Sequence, residues 1–476
     1  MSVSLDVVLK YFKEICAIPH GSQDMKKISL YCADFAEKNS LKYVRDDANN
    51  VIIYKNGSCG YENSAPVILQ GHLDMVCQKT PDCEIDFAKD PIETYTDGDF
   101  LRAKNTTLGA DNGIAVAMVL AILADNTIAH PPIEAVFTTD EEIGMIGALK
   151  LDFSLLSAKK MINLDSEEGD TVTVSCAGGS DFSASLPIKR KTANGTILSL
   201  TLSGLKGGHS GVEINKGRIN ADILAGRFLN HLATICDFDI ISIDGGDKGN
   251  AIPNSCNIEL LCQNPQELEE LIKSYYAIVQ KELSAREDDF TITTKIGNSG
   301  DYSVFDAELK RNIISILTSA PNGVIEMSAE IDGLVETSLN LGILKTENDK
   351  IILHFALRSN KQSALEALEE KLSAYFSLVD CTVETFGHYP PWEFKADSDL
   401  RKIYTETYKE LFNEAPKVQA LHAGLECGVF ASGIEGLDCI AIGPDLFDVH
   451  TVNERMSIPS TKMILDLLLK ILEKSR

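Results

Sequence analysis

The sequence predicts an α/β domain with a mostly parallel sheet, interrupted by an inserted α+β domain. Over about the first 180 residues, short apolar β-rich runs alternate with helical patterns, which is typical of a parallel sheet covered by helices. From about Asp181 the strand-like segments alternate polar and apolar residues, which indicates antiparallel strands with one wet face. After GHYPPWEF the alternation of short apolar runs with helical patterns returns. We therefore predict the first domain at 1–182 and 389–476 and the inserted domain at 183–388.

The first segment contains four apolar runs that predict buried strands. They are VIIY at 51–54, VILQ at 67–70, IEAVFT at 133–138 and MINL at 161–164. Helical patterns cover 24–38 and 113–125, and the continuous apolarity of the second predicts a buried helix. The last segment predicts helices at 398–412 and 459–474 and a short apolar strand at 438–442.

The inserted segment mixes amphipathic strands with helices. Helical patterns lie at about 217–234, 265–283 and 362–377, between strand-like stretches such as TILSLTLSGL and CNIELLCQ. The order strand, strand, helix recurs from Asn322 to Asp380. We therefore predict that the inserted domain is a duplicated α+β unit.

Composition limits the possible partners and compartment. Lys and Arg total 44 against 70 Asp and Glu, a net charge of −26 that argues against nucleic acid or an anionic membrane surface as partner. The 12 cysteines follow no metal-binding spacing, which favours a reducing cytoplasm. No apolar run approaches the ~18 residues of a membrane span, and the N-terminal pattern predicts an amphipathic helix rather than a signal peptide.

Potential metal ligands follow four of the predicted strands. In an open parallel sheet, ligands collect outside the carboxyl ends of the strands. A further acid, Asp111, precedes the helix at 113–125, where N-capping is the ordinary interpretation of an aspartate. The candidate residues are, in chain order, His72, Asp74, Asp111, Glu141, Glu142, Asp165 and His450.

These residue types predict a pair of metal ions. Imidazole with carboxylates is the ligand set of zinc and similar divalent ions. If Asp74 and one of the two adjacent glutamates have the other roles described below, five ligands remain. Five are too many for one tetrahedral site that keeps an open position. Two ions that share a bridging carboxylate would use them all. Asp74 is suited to accept the second ring N–H of His72. Of the adjacent Glu141 and Glu142, one can bind metal while the other takes a proton from water.

A longer set of motifs carries a family resemblance. HLDM, TTLGADNG, TDEEIGMIGA, NLDSEEG, CAGG, GLKGGHSG, NAIP, HAGLECG and AIGP occur in this order. Together they resemble the cytosolic aminoacyl-histidine dipeptidases, also called cytosol nonspecific dipeptidases or bacterial carnosinases. These enzymes belong to the dinuclear zinc peptidase family that includes carnosinase, carboxypeptidase G and peptidase T. The resemblance extends from the first helix to the last.

The resemblance implies a role for each residue of the metal site. One ion is bound by His72 and Asp165, the other by Glu142 and His450, and both by Asp111. Asp74 orients His72, and Glu141 is the general base that activates a metal-bridging water. The ions implied are zinc first, with cobalt or manganese as alternatives, and the peptide bond Asp111–Asn112 is implied to be cis. At 450–454 the chain has HTVNE where the family often has an HSPDE-like stretch, but the histidine is kept.

The resemblance also implies substrate contacts from the inserted domain, as a lid or dimerisation domain. His209 in GGHSG would polarise the scissile carbonyl, either within its own chain or across a homodimer interface. Asn250, Arg358 and the backbone of Gly424 would hold the C-terminal carboxylate of the substrate. A guanidinium suits this role because it binds a carboxylate through two parallel hydrogen bonds.

The predicted function is hydrolysis of small unblocked dipeptides, X-His among them, by a cytoplasmic homodimer. A related enzyme with the same metal site is the alternative: an aminoacylase, a tripeptidase or a carboxypeptidase. A non-catalytic metal- or peptide-binding relative is a further alternative. Such a relative would be expected to have lost a ligand or the base, and this chain keeps both.

Overall fold

The computed structural model describes residues 3–476, which divide into two compact units. Unit 1 consists of residues 3–176, Pro391–Ala420 and Leu425–Arg476, and unit 2 consists of Ala177–Pro390 and Leu421–Gly424. The main breaks lie close to the predicted boundaries at 182/183 and 388/389. The short return of the chain to unit 2 at Leu421–Gly424 has no counterpart in the sequence prediction.

The elements before the first break belong to unit 1. They are α1 (Leu5–Cys16), α2 (Lys26–Lys38), β1 (Lys42–Arg45), β2 (Val51–Lys55), β3 (Val67–His72), β4 (Thr94–Asp97), β5 (Phe100–Ala103), α3 (Ala110–Ala124), β6 (Ile133–Thr138), α4 (Ile146–Leu149), β7 (Lys160–Asn163) and β8 (Thr171–Cys176).

The middle of the chain forms unit 2. Its elements are β9 (Gly178–Pro187), β10 (Arg190–Ser203), β11 (Gly208–His209), α5 (Ala221–Ala233), β12 (Asp239–Gly245), β13 (Ala251–Ile252), β14 (Cys256–Cys262), α6 (Pro265–Leu283), β15 (Thr291–Phe305), α7 (Ala307–Ser319), β16 (Gly323–Met327), β17 (Val335–Thr346), β18 (Lys350–Ser359), α8 (Gln362–Phe376) and β19 (Thr382–Tyr389).

The last segment returns to unit 1. It forms α9 (Asp399–Phe412), β20 (Lys417–Leu421), α10 (Glu426–Gly433), β21 (Asp438–Ala441), β22 (Leu446–Phe447), β23 (Arg455–Ser457) and α11 (Ile458–Lys474). The predicted strands at 51–54, 67–70, 133–138 and 161–164 are confirmed as β2, β3, β6 and β7. The three helices predicted in the inserted segment are confirmed as α5, α6 and α8.

The main sheet of unit 1 has the order β1-β2-β6-β3-β7-β21-β8-β20. Its four central strands β6, β3, β7 and β21 run parallel, whereas β1–β2, β2–β6 and β21–β8 pair antiparallel. The α/β fold with a parallel sheet is therefore confirmed. Because the central strands are parallel, their carboxyl ends lie at one edge, and the residues that follow them are brought together.

Helix α3 begins irregularly beside this edge. Its apolar residues are buried along the whole helix, as predicted. At its start, Gly109 has a left-handed backbone with φ of 69°, and Asp111 and Asn112 have non-helical backbone angles. The peptide bond between Asp111 and Asn112 is cis, as the resemblance implies.

The sheet of unit 2 consists of two similar halves. Its order is β15-β10-β14-β12-β17-β18-β9-β19, with antiparallel neighbours throughout and β16 beside β17. One half is β10-α5-β12-β14-α6-β15 and the other is β9-α7-β17-β18-α8-β19, and both have the spatial order fourth, first, third, second. The predicted duplication is thus present. The first half is inserted between β9 and α7 of the second, so the repeat is longer than the stretch from Asn322 to Asp380.

Two further observations concern the cysteines and the length of the helices. All 12 cysteines are free thiols. No helix within residues 3–476 combines the length and the apolar character that crossing a membrane requires.

Candidate active site

The predicted metal ligands of unit 1 form two groups that share one carboxylate. His72, Asp111 and Asp165 offer ligand atoms that lie within 4.8 Å of one another, and so do Asp111, Glu142 and His450. His72 ends β3, and the other residues lie on the segments that follow β6, β7 and β21 or at the start of α3. The fold therefore brings together all five residues predicted as ligands.

The two oxygens of Asp111 face different imidazoles. Its Oδ1 lies 3.1 Å from Nε2 of His72, and its Oδ2 lies 3.1 Å from Nε2 of His450. His72 Nε2 is also 3.5 Å from Asp165, and His450 Nε2 is 3.0 Å from Glu142. A carboxylate with one oxygen in each group has the arrangement that a bridging ligand requires.

Asp74 connects His72 with the segment that follows β6. Its backbone carbonyl accepts the Nδ1–H of His72 at 3.0 Å, and its Oδ1 lies 3.4 Å from the same nitrogen. Its two oxygens also accept the backbone N–H groups of Glu141, at 3.0 Å, and of Glu142, at 3.2 Å. Ser22 donates its hydroxyl to Asp74 at 2.9 Å, a contact that the sequence did not reveal. Asp74 thus orients an imidazole and positions both glutamates.

Glu141 belongs to neither of these groups, but it forms a third group of potential ligands with His72 and Glu142. One of its carboxylate oxygens is within 4.8 Å of ligand atoms of His72 and Glu142. Burial raises the pKa of Glu141 well above its ordinary value, and the neighbouring Asp165 and Glu426 raise it further. A basic carboxylate at this position is suited to accept a proton.

The charges of the cluster fit cations. Burial lowers the pKa of His72, but its contacts with Asp165 and Asp111 outweigh that effect and raise it well above 6.5. Hydrogen bonds with Asp111 and Glu142 raise the pKa of His450 to about 11. Carboxylates outnumber imidazoles, so the cluster favours positive charge. Divalent ions satisfy the same demand with the donor types they prefer.

Two buried glutamates near the site were not predicted. Glu426 is fully buried, accepts hydrogen bonds from Thr138 Oγ1 at 2.7 Å and from Gln70, and burial raises its pKa to about 7. Gln70 in turn accepts a hydrogen bond from Asn163 at 2.5 Å. The second is Glu454, whose contacts are described below. The motif HAGLECG contains Glu426, so an acid inside a motif was the available signal.

In unit 2, His209 has a defined ring orientation. Strand β11 pairs with β13, with His209 opposite Ala251, and Ser210 N–H donates to the carbonyl of Asn250 at 2.9 Å. Nδ1 of His209 accepts the backbone N–H groups of Gly211, at 3.0 Å, and Val212, at 3.2 Å. Burial and the nearby Arg358 lower the pKa of His209. The ring is therefore neutral with its proton on Nε2, where it can donate to an oxygen.

Arg358 lies in the same cluster without an acidic partner. Its Nη1 donates to the hydroxyl of Tyr389 at 2.8 Å, while its buried Nε has no hydrogen-bond partner among residues 3–476. A Cβ at Gly211 would lie 3.1 Å from Arg358 Nε, 2.9 Å from His209 Cε1 and 2.5 Å from the carbonyl oxygen of His422. Only glycine allows this close approach, and it places an uncompensated guanidinium beside His209.

His422 anchors the segment that carries Gly424. Its ring is buried, with Nε2 at 2.7 Å from Ser338 Oγ and Nδ1 at 3.2 Å from Asn360 Oδ1. Burial, together with Arg358, lowers its pKa to about 3, so it is neutral. The predicted substrate residues Arg358, His209 and Asn250 and the segment of Gly424 all belong to unit 2.

The fold and the two groups of potential metal ligands are those expected of a metallopeptidase, and sequence comparison gives the family. Residues 68–474 match the sequence model of peptidase family M20/M25/M40, to which the chain belongs. It is 38% identical over 467 residues to the cytosol non-specific dipeptidase of Escherichia coli (strain K12), with 97% of this chain and 96% of that protein covered.

Solved structures agree with this assignment. The aminoacylhistidine dipeptidase from Vibrio alginolyticus superposes with a TM-score of 0.91 at 37% identity, covering 99% of this chain and 97% of that one. The aminopeptidase PepT from Bacillus cereus ATCC 10987 has a TM-score of 0.59 at 14% identity, covers 99% of each chain, and shares the fold. The resemblance inferred from the motifs is confirmed.

Proposed function

We propose that this chain hydrolyses the peptide bond of small unblocked dipeptides, X-His among them, with two divalent metal ions. The observation that carries the proposal is the sharing of Asp111 between two groups of imidazole and carboxylate, with Glu141 beside both. The Escherichia coli and Vibrio relatives are named as dipeptidases, which supports dipeptides as the substrate class.

The residues present fit two ions of the zinc type. His72 and Asp165 would hold one, Glu142 and His450 the other, and Asp111 both. Zinc is the first choice for imidazole and carboxylate donors, with cobalt or manganese as alternatives. Bound there, the ions would polarise the scissile carbonyl and lower the pKa of water from about 15.7 to about 7.

Glu141 moves the proton in the proposed reaction. Its carboxylate takes a proton from the attacking water and delivers it to the leaving nitrogen, so that the amine departs neutral. Asp74 fixes the backbone of both Glu141 and Glu142. The base and the neighbouring ligand are therefore held in one frame while only Glu141 changes its protonation.

The cluster of unit 2 supplies the proposed substrate contacts. Arg358, which has no acidic partner of its own, binds the C-terminal carboxylate of the dipeptide with Asn250 and the backbone of Gly424. His209 donates from Nε2 to the scissile carbonyl oxygen, because its Nδ1 already accepts two backbone N–H groups. A requirement for a free carboxylate next to the scissile bond directs cleavage to the C-terminal residue, and the names of the relatives support dipeptides as the length.

A substrate panel tests the proposal against its alternatives. Metal-analysed protein is assayed with X-His and other dipeptides, tripeptides and N-acetyl amino acids. We expect dipeptides to be cleaved with the highest kcat/KM. Preference for acetyl amino acids or tripeptides would indicate an aminoacylase or a tripeptidase instead, and a protein with two bound ions that cleaves none of them would be a non-catalytic relative.

We also propose a cytoplasmic homodimer. The free state of all 12 cysteines supports a reducing compartment. The dimer rests on the resemblance to dimeric members of the family. Analytical ultracentrifugation of the purified chain tests it, and a monomer at micromolar concentration would contradict it.

A further inference from the structure

Glu454 is a buried carboxylate that contacts the segment carrying Asp111. Only 3% of the residue is exposed. Its Oε2 accepts the backbone N–H groups of Leu108, at 2.6 Å, and Gly109, at 3.1 Å. Its Oε1 accepts those of Ala110, at 2.9 Å, and Asp111, at 3.4 Å. Four consecutive backbone donors thus converge on one side chain from the other end of the chain.

These donors are free because of how α3 begins. The first N–H groups of a helix have no partner within it and need an external acceptor. The residue before the helix is Gly109, which has no side chain to cap it, and the backbone of Asp111 is non-helical. Glu454 takes over the capping role, and its negative charge suits the positive end of the helix. The carboxylate of Asp111 is left to face His72 and His450.

We propose that Glu454 is the positioning residue of Asp111, so that the loop containing His450 serves both metal ions. It would supply His450 to one ion directly, and through Glu454 it would fix the carboxylate that both ions share. The proposal rests on the metal-binding part of the proposed function. Its physical basis is that a ligand with one oxygen for each ion tolerates little displacement of its backbone.

A purely local role for Glu454 makes a different prediction. The backbone N–H of Glu454 donates to the carbonyl of Thr451, so the residue also belongs to the turn that follows His450. If Glu454 only stabilised this turn, its loss would disturb His450 and the ion bound there. The two roles differ in whether one ion or both are affected.

The test compares Glu454→Gln with two other variants. The amide keeps the shape of the side chain but replaces one acceptor oxygen by an NH₂ group that opposes two backbone donors. His450→Ala is the reference for loss of one ion. Glu134→Gln is the matched control, because Glu134 is also a buried carboxylate, accepts the backbone N–H groups of Ser157 and Ala158 at 3.0 and 3.1 Å, and lies near the opposite end of β6.

Zinc stoichiometry and affinity are measured by competition with a chromophoric chelator, and unfolding of the metal-free proteins is measured in parallel. We expect Glu454→Gln to weaken the binding of both ions together, by about 10- to 100-fold, as is typical when a hydrogen-bond partner of a metal ligand is lost. His450→Ala is expected to weaken one ion, and Glu134→Gln neither. If Glu454→Gln does not fold, Glu454→Asp, which keeps both oxygens on a shorter side chain, is expected to show the same joint loss.

Three results would overturn the proposal: loss of one ion only, wild-type affinity for both, or equal loss in Glu134→Gln. The proposed activity fails separately. A wild-type protein that binds two ions without cleaving dipeptides would refute the hydrolysis, and the joint weakening in Glu454→Gln would still establish the positioning role.

Discussion

The two polar clusters of this chain differ in the sign of the charge that they leave unbalanced. In unit 1, carboxylates outnumber imidazoles around Asp111, and the histidines carry raised pKa values as a result. In unit 2, Arg358 lies near two neutral histidines, His209 and His422, and has no carboxylate partner within residues 3–476. The first cluster is therefore suited to cations and the second to an anion. A metallopeptidase that requires a substrate carboxylate needs both.

The two clusters are also built differently. The candidate ligands of unit 1 lie at or after the ends of parallel strands or at the start of α3, next to buried hydrogen bonds such as those of Asp74 and Glu454. The residues of unit 2 come from the two-residue strand β11, the strand β18 and the segment Leu421–Gly424. Substitutions in unit 1 are thus expected to change metal content or kcat. Substitutions in unit 2 are expected to change kcat/KM for the substrate while both ions stay bound.

The largest expected effect comes from removing the ions. Dialysis against EDTA is expected to abolish dipeptide hydrolysis, and added Zn²⁺ or Co²⁺ to restore it. The reason is that Asp111, Glu142 and Asp165 have no role in the proposed reaction other than binding metal. His72→Ala and His450→Ala are each expected to lower the metal content measured by atomic emission. Full turnover by a sample shown to be metal-free would contradict the mechanism.

The next largest effect separates the adjacent glutamates. Glu141→Gln is expected to keep both ions and lose about 10²- to 10⁴-fold in kcat, because it removes the base but no ligand. Glu142→Gln is expected to lose metal as well, because Glu142 contacts His450 in the second group. Metal content and kcat are measured on the same samples. Equal metal loss in both variants would contradict this division of roles.

The proximity of the candidate ligands could be predicted because each lies close to a strand or helix with a strong sequence pattern. The runs at 67–70 and 133–138 are apolar throughout, as buried parallel strands are, and the ligands follow directly. Parallel pairing then brings distant segments together at one edge. The five candidates are spread over almost 400 residues, and four of them follow a predicted strand, whereas Asp111 precedes the helix at 113–125.

Residues that act through long-range hydrogen bonds could not be predicted in this way. Glu454 caps a helix more than 340 residues earlier in the chain, and no local pattern connects an acid in HTVNE with Leu108 or Ala110. The nesting of the repeats in unit 2 was missed for a related reason. Strand β9 belongs with α7, but the whole first half separates them in sequence.

A smaller effect is expected for Arg358→Ala. Removing one partner of a buried charge pair costs about 2–5 kcal/mol, or roughly 30- to 5,000-fold in kcat/KM. Metal content is expected to stay unchanged, in contrast to variants of unit 1. Arg190→Ala is the control, because Arg190 donates to the carbonyls of Ile241 and Ser303 and also lies over the ring of Phe305 in the same unit.

Dipeptide amides make this test specific. They lack the carboxylate, so the wild-type enzyme is expected to disfavour them by a factor similar to the loss in Arg358→Ala. The variant is expected to discriminate little between acid and amide. Equal discrimination by both proteins would assign carboxylate binding to another residue.

The smallest expected effect is a partial recovery of activity when two inactive variants are mixed. It shows whether His209 acts at the site of its own chain or at that of a second copy. Two inactive variants, Glu141→Gln and His209→Ala, are mixed under conditions that let subunits exchange. If His209 acts across a dimer interface, a mixed dimer has one site with both defects and one with neither, and random equal mixing restores about a quarter of wild-type activity. If it acts within its own chain, every site keeps one defect and mixing restores nothing.

A verified mixed dimer without activity would therefore reject the cross-subunit role and leave the chemical role intact. Near-normal turnover of His209→Ala with both ions bound would reject both, because an Nε2–H held ready by two backbone contacts would then have no function in the reaction.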